Sequence, residues 1–515
     1  MTDLKPIDYV YGTFQNEIKN RFLCSVNIDG KDVICYIPSS CRLSNFIDMT
    51  GRTVLLRPIE ASNARTPYAV YAVKYRKSFI LLNLAQTNRV IEAQIQRRYF
   101  SFLGVRKKIS HEYKIKNYKS IDIRISFSNK IKKENITKSI FLFDLLVYCT
   151  NNYRSKRLLN IKCQELYSLA LTSGTFRLGD YLVSRLGISF LNPKYTKDNI
   201  TLDSLDLLKE VIFNPYVLNG AFNDEKYKAI LADLEAETQT VKEQPRVYAN
   251  IKLLENLGDK PYSYHNYCYE EDLHALDPKK LYDYYNEILN NSMIDIFVAG
   301  DFNFSDMEQI IRGKLSFKRR RYDDFDVCLE EEKITDKYRE IEDKIDYNQS
   351  KLAIACKLNF HNDFEKKYVS NIYNILLGGS SDSILMRDVR EASSLVYYIN
   401  STIIKADNLL IINAGCDAKN YQRIVDLVFT SLQKIAISDF SDDDMNKAIN
   451  EYISAIDTTL TSKTALLNVM MSTYFFKNDP LEMRKEEVLK VTKDMIVSFA
   501  KTIKVDTIYL LKGEK

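Results

Sequence analysis

Two kinds of hydrophobic spacing divide this chain. Residues 20–75 alternate apolar and polar positions. "RFLCSVNIDGKDVICYIP" is two such runs meeting at Asp29–Gly30, and Asp-Gly is the preferred content of a two-residue hairpin turn. "TVLLRP" (53–58) and "YAVYAVKY" (68–75) supply further strands, and short strands with tight turns in so little chain predict a small barrel. From about residue 138 the spacing becomes helical. Tyr227, Ile230, Leu231 and Leu234 share one helix face, as do Leu281, Tyr284, Tyr285, Ile288 and Leu289. Asp277–Pro278 gives the second of these helices an N-cap and a proline at its first position. "IDIFVAGD" (294–301) follows as a buried strand. The segment 491–514 repeats the arrangement, a capped helix and then a strand, which points to duplication. Between the halves, residues 317–344 carry many charges of both signs and read as a linker.

Composition narrows the class. The 515 residues are 45% hydrophobic and 27% charged, as in a folded globular protein. A net charge of +5 gives no general attraction to nucleic acid or anionic membrane. Nine cysteines without a C-x-x-C favour reduced thiols over a disulfide framework. The N-terminus lacks a basic-then-apolar pattern, and apolar runs such as "SFILLNLA" (78–85) are too short to span a membrane, so a cytoplasmic protein without membrane contact is expected. Residues 97–133 interleave Arg and Lys with aromatic side chains. This fits a nucleic-acid footprint or, as the plainer reading, a solvated amphipathic linker.

Two resemblances follow from longer segments. "RFLCSVNIDGKDVICYIPSSCRLSNFIDMTGRTVLL", "RTPYAVYAV", "LLNLAQTNRVIEAQI" and "KSIDIRI" resemble the sugar fermentation stimulation protein A (SfsA) family. That family implies an OB-type barrel, credited with DNA binding, ahead of a nuclease-like domain. Asp122 stands where the first metal-binding acid of that domain is expected, but no E-x-K strand follows, so the nuclease part is expected to be cut short and inactive. Residues 138–515 resemble the insulinase/pitrilysin family of zinc peptidases, most closely its members without the metal motif. The matching segments include "LLKEVIFNPYVLNGAFNDEKY", "IDIFVAGD", "DYNQSKLAIACKL" and "NILLGGSSDSILMRDVREASSLVYY".

A peptidase of that family needs two histidines one helical turn apart, a glutamate between them as general base, and a distal glutamate as third ligand. This chain has four histidines and none between His111 and His265. Glu235 and Glu237 fall where the distal glutamate is expected, and without histidine partners they read as solvated helix residues. His265, His274 and His361 have no histidine one turn away and read as structural. No metal or other cofactor is therefore expected in this chain. In the family, an arginine and a tyrosine seven residues later reach across a clamshell chamber to the zinc site, and Arg390 and Tyr397 match that spacing. The plainer alternative pairs Arg390 with Asp388 or Glu391 and packs Tyr397 in a strand. Gly378–Gly379 marks either a chamber loop or a helix end.

The expected architecture is α+β. It comprises an OB-like β-barrel (1–85), a truncated SfsA-like connector (86–135), and a shortened first insulinase-like unit without the zinc motif (136–316). A charged linker (317–344) and a second insulinase-like unit (345–515) with the Arg390–Tyr397 pair follow, the two units forming half of a clamshell. The expected function is that of a non-catalytic subunit. A partner of the same family would carry H-x-x-E-H and zinc, and the heterodimer would process peptides, leader or precursor peptides among them. The alternative is a nucleic-acid-binding or scaffold protein in which the barrel binds and the peptidase-like shell serves assembly.

Overall fold

The computed structural model describes residues 9–18, 23–37, 49–59, 66–75, 78–81, 118–317, 327–329 and 337–514. It divides into two compact units, Met1–Lys114 and Ile115–Lys515.

The first unit is a barrel of β1 (Val10–Glu17), β2 (Leu23–Ile28), β3 (Lys31–Tyr36), β4 (Thr53–Pro58) and β5 (Tyr68–Tyr75). Alternation sends Phe14, Cys24, Val26, Cys35, Val54, Leu56 and Val70 inward, and a bulge in β5 at Tyr71 brings Val73 in as well. Asp29 and Gly30 both adopt positive φ, 49° and 85°, as the tight turn between β2 and β3 requires. The barrel closes where β3 runs parallel to β5, with Cys35 opposite Tyr68. Strand β6 (Ser78–Leu81) extends β5. This is the OB-like barrel that the sequence predicts.

The second unit contains two lobes of one weave. The first sheet uses β7 (Ser120–Lys130), β8 (Ala170–Leu178), β9 (Tyr181–Leu191) and, after the small ribbon β10 (Val217–Leu218) and β11 (Ala221–Phe222), β12 (Met293–Ala299). Its order is β12-β7-β9-β8. The second uses β13 (Arg339–Ile345), β14 (Ser350–Lys357), β15 (Val396–Ile404), β16 (Leu409–Cys416) and β17 (Lys504–Gly513), in the order β13-β17-β14-β16-β15. In both lobes the last strand returns beside the first, so the duplication read from the sequence is present in the strand order.

Each sheet buries one face under its own helices. Ile121, Ile123, Ile125 and Phe127 of β7 share a core with Phe141, Leu142 and Leu145 of helix Lys133–Leu146. Leu352, Ile354 and Cys356 of β14 share one with Ile496 and Phe499 of helix Lys493–Thr502. The opposite faces receive helices from the other lobe. Helix Pro245–Glu255 sets Ala249 and Leu253 against Ala353, Ala355, Tyr509 and Leu511. Helix Lys463–Phe476 crosses the first sheet, where Lys463 Nζ meets Asp122 Oδ1 at 2.6 Å and Arg124 Nη1 donates to Asn468 at 2.5 Å.

Two boundaries differ from expectation. The segment "KSIDIRI" lies in β7, between β12 and β9 of the first peptidase-like sheet, and not in an SfsA-like connector. Asp122 accordingly serves an ion pair between lobes. Starting this lobe at residue 136 omitted the strand on which its sheet is built, and so made it look short. Residues 86–117 of the expected connector, with most of the basic stretch, lie outside the described residues. The charged segment 317–344 is also more than a linker. Val327 is fully buried, Leu329 N donates to the Ala406 carbonyl at 2.8 Å, and β13 pairs in parallel with β17. A few apolar residues among the charges, Val327, Leu329 and Ile341, dock it.

Candidate substrate-contact site

The Arg–Tyr segment begins behind a helical run, π-wound over Glu365–Val369 and Ile375–Gly379 with the α-helical turn Ser370–Asn374 between. Gly378 ends it against β15: a Cβ there would lie 2.8 Å from Ser401 N and from Leu385 Cδ1. The Gly-Gly pair is thus a closely packed helix end. A third π-wound turn, Met386–Glu391, packs on β15. Three successive residues fix it. Arg387 Nη1 bonds Asp444 at 2.6 Å, Asp388 Oδ2 accepts from Lys434 Nζ at 2.7 Å, and Val389 is buried. Arg390 comes next and faces solvent. Ser394, at φ 53°, donates its amide to the Arg390 carbonyl at 2.9 Å and turns the chain into β15.

Asp388 is therefore committed to Lys434, and among the described residues the Arg390 guanidinium has neither an ion pair nor a hydrogen bond. Tyr397 is the extra residue of a bulge: Val396 pairs with Cys416 and Tyr398 with Gly415, which leaves Tyr397 between them. Bulges re-aim side chains, and the Tyr397 ring is 52% exposed. Its hydroxyl donates to Asp417 Oδ1 at 2.9 Å, and that bond raises its pKa. No hydrogen bond joins Arg390 to Tyr397.

Sequence reasoning missed the polar side chains around the bulge. Asp417 holds the Tyr397 hydroxyl. Tyr398 lies over Gly415, where a Cβ would sit 2.5 Å from the ring, with the Arg246 guanidinium 4.9 Å and the Lys351 ammonium 5.6 Å from the ring centre. Burial lowers the Lys351 pKa, with a smaller contribution from Arg246. Arg246 comes from the other lobe, so no local pattern could have revealed it.

Neither Glu235, expected where a family zinc site has its distal glutamate, nor the histidines read as structural are arranged to hold a metal. Glu235 Oε1 lies 3.6 Å from His274 Nδ1, and both side chains are exposed. His265 stacks on Tyr269 at 4.0 Å, and burial lowers its pKa. His361 bonds Glu365 with its ring at 3.0 Å. Among the described residues, no three His, Cys, Asp or Glu side chains are grouped so as to hold a metal ion. The eight cysteines described are all free, and no described helix is long and apolar enough to cross a membrane.

On the barrel, Tyr9 and Tyr71 lie 4.9 Å apart, and Tyr11 and Phe79 lie 6.5 Å apart. Tyr11 is 61% exposed, and Ile34 and Tyr36 are also solvent-facing.

Residues 275–452, which include Arg390 and Tyr397, match the family described as peptidase M16 inactive domain. Residues 18–82 match the SfsA N-terminal OB domain. The chain is thus similar to inactive M16 peptidase homologues over its second unit and to the SfsA OB domain over its first. A Bacillus subtilis protein named "Probable inactive metalloprotease YmfF" is 26% identical over 411 residues, covering 78% of this chain and 95% of that protein. A conserved Enterococcus faecalis protein of known crystal structure shares the fold, with a TM-score of 0.71 at 23% identity over 78% of this chain and 95% of its own. The SfsA likeness is narrower. A Methanobrevibacter smithii sugar fermentation stimulation protein homologue is 28% identical over 85 residues, 16% of this chain and 35% of that protein. The OB match ends at residue 82, ahead of β7, in line with the strand's place in the peptidase-like sheet.

Proposed function

We propose that this chain is the non-catalytic subunit of a heterodimeric peptidase and lends Arg390 and Tyr397 to a site whose zinc and H-x-x-E-H motif belong to the partner subunit. The observation that carries this reading is the exposure of both side chains beside neighbours that are tied down. Arg387 and Asp388, just ahead of Arg390, are tied to Asp444 and Lys434, while the Arg390 fork is left open. A guanidinium presents fixed donors suited to a peptide carbonyl or to negative charge developing on it. The Tyr397 proton is engaged by Asp417, so its oxygen lone pairs can accept from a substrate backbone N–H. An extended peptide offers both groups along one edge, which makes peptides the substrate class.

The test is purification of the tagged chain from its native host, with mass spectrometry of what accompanies it. A stoichiometric partner of the same family with H-x-x-E-H is expected, and the reconstituted pair should cleave peptides that neither chain cleaves alone. Recovery of the chain alone, or with nucleic acid only, contradicts the proposal.

A second reading rests on the paired rings Tyr9–Tyr71 and Tyr11–Phe79, of which Tyr9, Tyr11 and Phe79 are exposed. OB barrels bind oligonucleotides, and exposed rings are platforms on which bases stack. Submicromolar binding of single-stranded DNA or RNA, lost in Tyr11→Ala, would favour a nucleic-acid role for the barrel.

A further inference from the structure

A cavity of about 740 Å³ lies between the lobes of the second unit. Its size is that of a small-molecule site. Its charge is lopsided: Arg177, Lys366, Lys367, Lys405, Lys477 and Arg484 line it against only Asp363, Asp407 and Asp479. Two of the cations are neutralised. Arg177 grips buried Asp407 with both ends of its fork, the Nη1–Oδ1 distance being 2.6 Å. Lys367 lies 3.4 Å from Asp479, which also accepts from Tyr368 at 2.6 Å.

Three cations end on neutral atoms. Lys405 Nζ donates to the Lys367 carbonyl at 3.1 Å, and Lys366 Nζ to Asn408 Oδ1 at 3.3 Å. Arg484 donates to the Asp479 carbonyl at 2.6 Å and to Thr473 Oγ1 at 2.7 Å. Among the described residues none of the three touches a carboxylate. Bringing like charges together away from water costs stability, and the Lys405 pKa shows it: burial first, then Arg484 and Lys366, push it down to about 7. A bound anion would offset that cost, and Asn371 and Ser472, which also line the cavity, add neutral donors.

We propose that this interlobe cavity binds a small, multiply charged phosphate compound, with Lys405, Lys366 and Arg484 as its ligands. Phosphate is favoured over carboxylate because tetrahedral oxyanions take donors from several directions at once, as three cations around one cavity provide.

The test is calorimetric titration of the full chain at pH 7 and constant ionic strength with inorganic pyrophosphate, with ATP as the phosphate-ester arm and citrate as the carboxylate arm. Saturable binding of pyrophosphate or ATP at one site per chain is expected, at least tenfold tighter than citrate. It should weaken at least tenfold in Lys405→Met and in Arg484→Gln, and should be unchanged in Lys419→Met, which lies on a surface turn away from the cavity. Pyrophosphate preferred over ATP assigns a free phosphate; the reverse assigns a phosphate ester. Melting curves verify folding of each variant, and ligand must raise the wild-type melting temperature. Absence of saturable binding by both phosphate probes, equal affinity for citrate, or undiminished binding in both cavity variants overturns the proposal.

Discussion

The two lobes share a strand order but are joined to one another by different chemistry. The helix that the first lobe lays on the second sheet makes an apolar seam, with Leu253 fully buried beside Ala353, Ala355 and Tyr509. The helix that the second lobe lays on the first sheet makes a mixed one. There Met471 and Phe475 pack beside Val327, and the polar contacts are Lys463 to Asp122, Arg124 to Asn468, and Tyr474 to Asp295 at 2.8 Å. Duplication kept the weave and allowed the two contacts to diverge. The apolar seam holds the lobes by burial, and the polar one fixes their register.

That contrast can be broken by mutation. Leu253→Ala should cost about 3 kcal/mol, the usual penalty for truncating a fully buried leucine in a seam that cannot collapse, and denaturant unfolding measures it. Lys463→Met should cost about 2 kcal/mol, since it leaves the Asp122 carboxylate buried without its charged partner. Adding Asp122→Asn should restore most of this, because no buried charge is then stranded; Leu253→Ala has no comparable rescue. If Lys463→Met is neutral, the polar seam contributes no stability and the contrast fails.

Lys405 sharpens the comparison from the cavity side. Between about pH 7 and its ordinary value the unfolded lysine holds a proton that the folded one has lost. Stability should therefore rise with pH through that window, and the cost of the charge is felt in full below it. Lys405→Met should raise the melting temperature at pH 6 and have less effect as pH approaches 10. An equal effect at both values would show that the ammonium is solvated.

The barrel and the capped helices were legible in the sequence because each is a local device. Asp29–Gly30 sets its turn by itself, and Asp277 caps helix Pro278–Asn291 by accepting from Lys280 N at 2.8 Å. Strand β7 was misassigned because its partners β9 and β12 lie far along the chain, and alternation alone cannot say which sheet a strand joins. Strand β13 was hidden by its charges, which suit the edge it occupies. The spacing of Arg390 and Tyr397 was visible. The bulge that turns Tyr397 outward and the cavity assembled from Arg177, Lys366, Lys405 and Arg484 exist only after folding.

Asp417 is expected to make the smallest contribution to the candidate site. It holds the Tyr397 hydroxyl, so on the proposed reading Asp417→Asn should change activity of the heterodimer by less than Tyr397→Phe does. It should also bring the tyrosine pKa back toward its ordinary value, which ultraviolet titration follows. Equal losses in the two variants would move Asp417 into direct substrate contact.

The most direct measurement is steady-state peptide cleavage by the heterodimer containing Arg390→Ala, with an authenticated H-x-x-E-H partner. The side chain is exposed and fills no core, so assembly and melting should match wild type. Turnover should fall by roughly 10²–10³-fold, the usual cost of losing one donor at a developing oxyanion, with most of the loss in kcat. Arg390→Lys should recover only part of it, because a point charge lacks the guanidinium fork. Wild-type turnover in both Arg390→Ala and Tyr397→Phe would show that the pair takes no part in the partner's site.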